Sequence, residues 1–324
     1  MTASELTDFM QPFWLRPDAG PNGNGGAKMH GRMTRLGPVA DDILKRHAYP
    51  EPVGTLLGES LALAASLAGG LKFDGVFTLQ IQAKGPVSLV VVDATSRGEL
   101  RGYAQFDAGG LPKAEKIAAG PVPALLGEGH FAFTVDMGPD KDRYQGIVEI
   151  EGNTLTDCAH HYFRRSEQMN TGIVLAARRR PENGAASDSS GDSNWWAGSL
   201  LLQQLPEAGG IRPSSADGDD PWRRAMMLLA TSTDDELLDG DLGPETYLTR
   251  LFHQEGLGLA APRPWVRGCR CSATRMHTAL KGLPEDDRRF MVIDGQIKVT
   301  CEFCNTTRNF DPATLELVGP APDA

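Results

Sequence analysis

The sequence predicts an α+β chain in three parts: an N-terminal antiparallel-sheet domain with helices, a short helical linker, and a small C-terminal domain built around cysteines. Three observations carry that reading. Residues 76–106 hold three successive runs with strand alternation, separated by short turns at Gly85-Pro86 and Thr95 to Gly98, which is the pattern of an antiparallel meander. Residues 220–253 hold short amphipathic helices instead, opened by Asp220-Pro221. Beyond them, four of the five cysteines gather into two tight pairs, Cys269 with Cys271 and Cys301 with Cys304.

In chain order, residues 1–30 are expected to be a flexible N-terminal extension. The run Gly20-Pro21-Asn22-Gly23-Asn24-Gly25-Gly26 has linker composition, and no Gly-Lys-Ser/Thr follows that would make it a phosphate-binding loop. Residues 31–207 are expected to form the α+β domain. Its first helix starts at Pro38, with Val39, Ile43 and Leu44 on one face. A second, well-buried helix runs from Pro52 to Ala68 on Leu56, Leu57, Leu61, Leu63 and Leu67, and stops at Gly69-Gly70. Strands follow at 76–82, 88–93 and 100–106, then at 131–135 and 145–150. Leu155 to Arg165 reads as a helix, and 173–177 and 198–205 as the last strands. Between these two, about 181–194 is rich in Ser, Gly and Asp and reads as a disordered insert, with Arg178-Arg179-Arg180 as a solvated strand end. Residues 208–256 are the helical linker: a low-order stretch at 208–219, then helices over 221–229, 234–238 and 244–253. Helices this short are marginal in water, so they must dock their apolar faces on a neighbour. Residues 257–318 form the C-terminal domain and 319–324 a tail.

Composition narrows the function classes. At 324 residues and 40% hydrophobic, the chain can bury a substantial core in more than one unit. A net charge of −10 with a pI near 5.2 disfavours a polyanionic ligand, so no nucleic-acid partner is expected. Residues 1–28 carry Glu5 and Asp8 and no continuous apolar run, so they read as neither signal nor transit peptide. No stretch reaches about 18 consecutive apolar residues. The expectation is a cytoplasmic protein with no membrane partner.

The cysteines carry the chemistry. A C-x-C pair and a C-x-x-C pair, separated by the 29 residues 272–300, suit a tetrahedral site of four sulfurs holding one Zn2+. The flanks agree. Ile297-Lys298-Val299-Thr300 alternates into Cys301 and Thr306 to Phe310 can return, giving a knuckle at Glu302-Phe303. Ser272 can cap a helix from Ala273 to about Lys281, with Gly282 at its end. Pro284 opens a second short helix, Glu285 to Ile293, stopped by an Asp294-Gly295 turn. The last domain is therefore read as zinc-binding. Two disulfides are the alternative, which a chain read as cytosolic disfavours. His277 lies between the pairs and reads as a surface residue of the helix.

No catalytic constellation is found. The chain has no G-x-S-x-G, G-x-G-x-x-G or His-x-x-x-His pattern. His160 and His161 are helical neighbours whose rings point to different faces, and Cys158 reads as a small buried hydrophobe. Nothing pairs a nucleophile with a base, so the sequence is not read as an enzyme. Two other readings stay open. One is a zinc-ribbon nucleic-acid or ribosome-binding protein, which Arg267, Arg270, Arg275, Arg288 and Arg289 could serve. The other is a thiol oxidoreductase using Cys301-Glu302-Phe303-Cys304, for which the βαβ context is missing.

Taken with the rest of the chain, the four cysteines resemble the signature of the Hsp33 family of redox-regulated holdases. The likeness runs from about Gly31 to Leu315. It includes His47-Ala48-Tyr49-Pro50, Leu71-Lys72-Phe73-Asp74-Gly75, Arg143-Tyr144-Gln145-Gly146 and Tyr162-Phe163-Arg164-Arg165-Ser166-Glu167-Gln168. The departures are the Gly-rich extension, the Arg180 to Asn194 insert and the acidic tail after Gly319, and none touches a cysteine. The resemblance implies an ATP-independent chaperone that is inactive while reduced and zinc-bound. Peroxide or hypochlorite, with unfolding stress, would release the zinc and pair Cys269 with Cys271 and Cys301 with Cys304. The C-terminal domain and linker would then unfold and expose apolar surface to unfolding client proteins. The resemblance also implies a monomer when reduced and a homodimer when oxidised. On that reading Trp222, Met226, Met227, Leu228, Leu229, Leu237, Leu238, Leu248, Leu251 and Phe252 are the candidates for client contact, with core packing as the plainer role of each.

Overall fold

The computed structural model describes residues 7–17, 28–138, 141–181, 193–205 and 221–319. The Gly-rich run at 20–26, nearly all of the 181–194 insert, the low-order stretch at 208–219 and the tail beyond Gly319 lie outside the described residues. The chain divides into two compact units, Met1–Val266 and Arg267–Ala324.

The first unit opens with β1 (Phe9–Leu15) and β2 (Met29–Leu36), followed by α1 (Pro38–Lys45) and α2 (Glu51–Gly70). The meander β3 (Val76–Ala83), β4 (Val87–Thr95) and β5 (Glu99–Phe106) comes next. Short helices α3 (Ala114–Ala119) and α4 (Pro121–Leu125) lead to the hairpin β6 (Gly129–Asp136) and β7 (Tyr144–Glu149). Helix α5 (Leu155–Tyr162) is boxed at its start by Thr154 and Asp157 and continues as a π turn over 163–167. The long strands β8 (Thr171–Pro181) and β9 (Ser193–Gln204) follow, then helices α6 (Pro221–Leu229), α7 (Asp234–Leu237) and α8 (Pro244–Phe252). Short strands β10 (Gly258–Leu259), β11 (Arg263–Pro264) and β12 (Val266–Arg267) come last.

Two antiparallel sheets result. One runs β10-β1-β2-β9-β8, with β11 also paired to β1. The other runs β5-β4-β3-β6-β7, and the Val266 N–H closes onto the Gly98 carbonyl at 2.9 Å. Helix α2 packs against β2, β8 and β9 of the first sheet and β3, β4 and β5 of the second. That position explains its sequence. It is apolar all round and long enough by composition to cross a membrane, yet its faces are buried in the core. Close approach is bought with glycine: a Cβ at Gly54 would strike the Trp195 ring, and one at Gly58 would press on Ala177. Its buried serines are satisfied: Ser60 donates to the Leu56 carbonyl at 2.7 Å, and Ser66 bonds Thr34 at 2.7 Å and Ser199 at 2.6 Å.

Residues 7–17 correct the expectation of a flexible extension, because β1 pairs with β2 along its length and lies inside the first sheet. Phe9, Gln11, Phe13 and Leu15 alternate in strand fashion and are buried. Asp8 accepts from the Gly37 and Val39 backbone N–H groups at 2.9 and 3.0 Å, capping α1, whose own N-cap residue is glycine. Burial raises the Asp8 pKa, and these bonds offset part of that rise.

The helices α6 to α8 cover the face of the first sheet that points away from α2. Leu229, Leu237, Leu238, Leu248, Leu251 and Phe252 pack there with Phe9, Phe13, Met29, Met33, Leu200 and Leu202. Phe13 and Phe252 stack with ring centroids 5.7 Å apart. Charges reinforce the contact. The buried Arg35 donates to the carbonyls of Leu237 (2.9 Å), Leu242 (2.7 Å) and Glu236 (3.3 Å). Arg224 of α6 makes a two-pronged pair with the buried Glu255 at 2.7 and 3.0 Å. Arg178 pairs with Asp235 and Arg180 donates to the Leu238 carbonyl, so the arginine run is a fastening for α7 and not only a solvated strand end.

The second unit contains α9 (Ala273–Lys281), α10 (Glu285–Phe290), β13 (Val292–Ile293), β14 (Gln296–Thr300) and β15 (Thr307–Phe310), the strands ordered β13-β14-β15. Ser272 caps α9 by accepting from the Arg275 N–H at 3.1 Å. Asp294 and Gly295, at φ 52° and 77°, make the two-residue turn from β13 to β14, which needs positive φ at both positions. The core is small: Met276, Leu280, Ile297, Phe310 and Leu315.

Candidate metal centre

Two local devices bring the cysteines together. Cys269 and Cys271 precede the capped start of α9, where the helix dipole favours negative charge. Cys301 and Cys304 sit on the knuckle between β14 and β15. The Cys301 N–H donates to the Thr306 carbonyl at 3.0 Å and the Asn305 N–H to the Cys301 carbonyl at 2.8 Å, with Asn305 at φ 54° closing the turn. The β14–β15 register, Thr300 opposite Thr307, fixes the knuckle's width.

The four sulfurs lie within 4.8 Å of one another. Cys269 and Cys301 are 3.7 Å apart, and Cys271 and Cys304 are 3.5 Å apart. In a regular tetrahedron with metal–sulfur bonds of ~2.3 Å, neighbouring sulfurs stand about 3.8 Å apart, so the cluster matches such a site with small adjustments. The donor set is sulfur alone: no histidine nitrogen or carboxylate oxygen among the described residues joins the cluster, and His277 stays outside it. All five cysteines are free thiols.

Electrostatics inside the cluster is uneven without a cation. A hydrogen bond from Cys301 lowers the Cys269 thiol below its usual range, while that same bond, seen from the donor side, raises Cys301. Cys271 is raised, first by burial. Backbone N–H groups serve two of the sulfurs: that of Cys271 donates to Cys269, and those of Phe303 and Cys304 donate to Cys301. The guanidinium of Arg308 reaches Cys271 at 3.5 Å. The arrangement can bind one soft or borderline divalent cation, or oxidise to disulfides.

The other candidates disperse. Cys158 is buried among apolar residues, which pushes its thiol up to about 11. His161 pairs with Glu151 at 3.0 Å, while His160 is depressed by burial and lies apart from any metal cluster of the described residues. Arg289 is taken up by Glu285 at 2.7 Å and Asp286 at 3.7 Å, which weakens the basic face that the nucleic-acid reading needs. The Cys301 to Cys304 segment joins antiparallel strands, unlike a βαβ redox motif. Of the client-contact candidates, Leu229, Leu237, Leu238, Leu248, Leu251 and Phe252 are buried against the sheet, Trp222, Met226 and Leu228 are half-buried, and Met227 is 57% exposed. Sequence reasoning missed Phe9, Phe13, Arg35 and Arg308. Only the period-two spacing of Phe9, Gln11, Phe13 and Leu15 offered a signal.

Comparison with known proteins identifies the family. A family model described as Hsp33 protein matches residues 25–311. A protein of Caulobacter vibrioides named 33 kDa chaperonin is 40% identical over 293 residues, spanning 88% of this chain and 91% of the relative. A 33 kDa chaperonin of Pseudomonas fluorescens strain Pf-5 is 38% identical over 318 residues, spanning 97% and 94%. Among solved structures, the 33 kDa chaperonin (heat shock protein 33 homolog) of Thermotoga maritima superposes with a TM-score of 0.73 over 95% of this chain and 96% of that one. At 21% identity that likeness speaks to the fold.

Proposed function

The chain belongs to the Hsp33 family, and on that premise we propose that it is a redox-regulated, ATP-independent holdase of the cytoplasm, held inactive as a reduced, zinc-bound monomer. The observation that carries the reading is the convergence of four sulfurs within 4.8 Å in a unit whose core is five residues. A bound zinc ion would keep all four sulfurs as thiolates and tie the two cysteine motifs together.

Cys269, Cys271, Cys301 and Cys304 are the proposed ligands and also the proposed sensors. Thiolates oxidise more readily than thiols. Pairing Cys269 with Cys271 and Cys301 with Cys304 forms two S–S bonds. Formed from two thiolates, each bond releases two electrons, which with two protons from solvent reduce one peroxide to two waters, and the cation the sulfurs held is set free. A disulfide within C-x-C closes a very small ring, so it should be strained and easily reduced when stress ends. Metal loss removes on the order of 10–16 kcal/mol of binding free energy. A whole domain is stable by only about 5–15 kcal/mol, so the second unit cannot remain folded without it.

The helical section is joined in sequence to that unit through residues 253–266, and its release is the proposed second step. Helices of nine, four and nine residues do not persist undocked. Release would bare both their apolar stripe, adaptable at Met226, and the sheet face under it, to which unfolding clients bind. Two such faces on separate molecules would account for an oxidised homodimer.

The experiment follows zinc content and suppression of aggregation of a thermally unfolding client, on one sample before and after peroxide under mild heat stress. The expected result is loss of one zinc, appearance of holdase activity, and reversal of both by a thiol reductant. Zinc retained with no activity would leave a purely structural site and overturn the reading.

A further inference from the structure

Arg308 stands out among the buried residues of the second unit. It lies on β15 opposite Val299 and is only 5% exposed. Its Nη1 donates to the Cys271 sulfur at 3.5 Å and to the Met276 sulfur at 3.9 Å. Among the described residues no carboxylate pairs with it, and its buried Nε has no partner. A buried guanidinium ordinarily needs an anion. Here the group within reach is a cysteine sulfur, which is a weak acceptor as a thiol and a good one as a thiolate.

A guanidinium aimed at the Cys271 sulfur at 3.5 Å suits the thiolate that a bound divalent cation would impose there. Four thiolates around a divalent cation carry a net charge of about −2, a costly charge to bury, and a guanidinium against one sulfur removes half of it. The donors around the cluster also divide the sulfurs. Cys269 and Cys301 receive backbone N–H groups, whereas Cys271 receives the Arg308 side chain. Arg308 therefore supplies to Cys271 what the backbone supplies to its neighbours.

Building on the proposed metal-bound state, we propose that Arg308 is a positioning residue of the metal centre, holding the Cys271 sulfur in place for the metal and offsetting part of the cluster's charge. Outer-shell groups of this kind are worth about 10–100-fold in metal affinity.

The test measures Zn2+ affinity by chelator competition on the full-length protein, its Arg308→Gln variant and its Arg308→Lys variant, under reducing conditions. Arg308→Gln should bind about 10–100-fold more weakly, and Arg308→Lys, which keeps a cation and donors, should recover most of the loss. Loaded with Co2+, Arg308→Gln should shift the thiolate-to-metal charge-transfer band while the tetrahedral ligand-field bands persist. Equal affinity for wild type and Arg308→Gln would overturn the proposal, as would a loss in Arg308→Lys as large as in Arg308→Gln. If Arg308→Gln does not fold with metal, the lysine variant decides: near-wild-type affinity supports a charge role, and failure to fold there too would leave packing alone and overturn it. Wild type without stoichiometric zinc would instead defeat the four-cysteine reading on which this one rests.

Discussion

Arg35 shows how much one side chain can hold in place. Its guanidinium lies over the Phe9 ring at 5.9 Å and donates to three carbonyls around α7, so the cation is solvated by backbone oxygens instead of water. Replacing it by methionine keeps the bulk and leaves Leu237, Leu242 and Glu236 without that donor. Each lost bond to a charged group is worth roughly 1.5–3 kcal/mol, so Arg35→Met should destabilise the first unit by at least about 3 kcal/mol. Denaturant unfolding followed at the fully buried Trp195 measures this, and a change under about 1 kcal/mol would rule the fastening out. Cys158 gives a second prediction, in pH. Burial raises its thiol from an ordinary value of 9.0 to about 11, so the folded state keeps a proton that the unfolded chain releases. Its contribution is complete below pH 9 and drains away as pH climbs toward 11, a loss of about 3 kcal/mol at most. Cys158→Ala should flatten the alkaline limb of the stability profile. An unchanged slope would mean that other groups set it, with Tyr247, raised to about 12 by burial, the first to examine.

Among the elements, the helical section is the one whose stability is borrowed. Leu237 and Leu238 are fully buried on the first sheet although α7 is a single turn, so nearly all its order comes from docking. Changing both to serine should undock α7 without touching a cysteine. The expected outcome is faster proteolysis within 221–256 and holdase activity before any oxidant, at unchanged zinc content. Activity still dependent on oxidation would place the client surface elsewhere. Most of these elements were legible because each rests on local pattern: the period-two runs of β3 to β7, the leucine-rich face of α2, the Ser272 cap and the Asp294-Gly295 turn. Strand β1 was not legible, since Pro12 sits at its centre and a Gly-rich run follows it. In the fold the Pro12 carbonyl points to the sheet edge and accepts from Ala260 at 3.1 Å, so its missing N–H falls where the edge pairing breaks between β10 and β11. Likewise Arg178 and Arg180 looked like solvated charges because their partners, Asp235, Leu238 and Asp239, lie more than fifty residues away in sequence.

For the molecule as a whole, the two units draw on different sources of stability, and that difference can be measured. The first has a continuous core in which α2 is buried between two sheets, with no metal-binding cluster in its described residues. The second has a core of five buried apolar or aromatic residues and a four-sulfur cluster beside them. The cluster was readable from spacing alone because each motif is a local turn, whereas the charge that Arg308 places against it depends on a strand register that spacing does not encode. Chelation under reducing conditions should therefore act on one unit. Hydrogen exchange should show the amides of β14 and β15 losing protection by several orders of magnitude, since removal of about 10–16 kcal/mol exceeds what so small a core can supply. The amides of α2, β3 and β4 should exchange at unchanged rates, because their protection follows from burial that the metal does not influence. Oxidation of the same sample should extend the loss to α6, α7 and α8 while still sparing α2. If chelation left β14 and β15 protected, the small core would be self-sufficient, and oxidation of the cysteines would have no unfolding to drive.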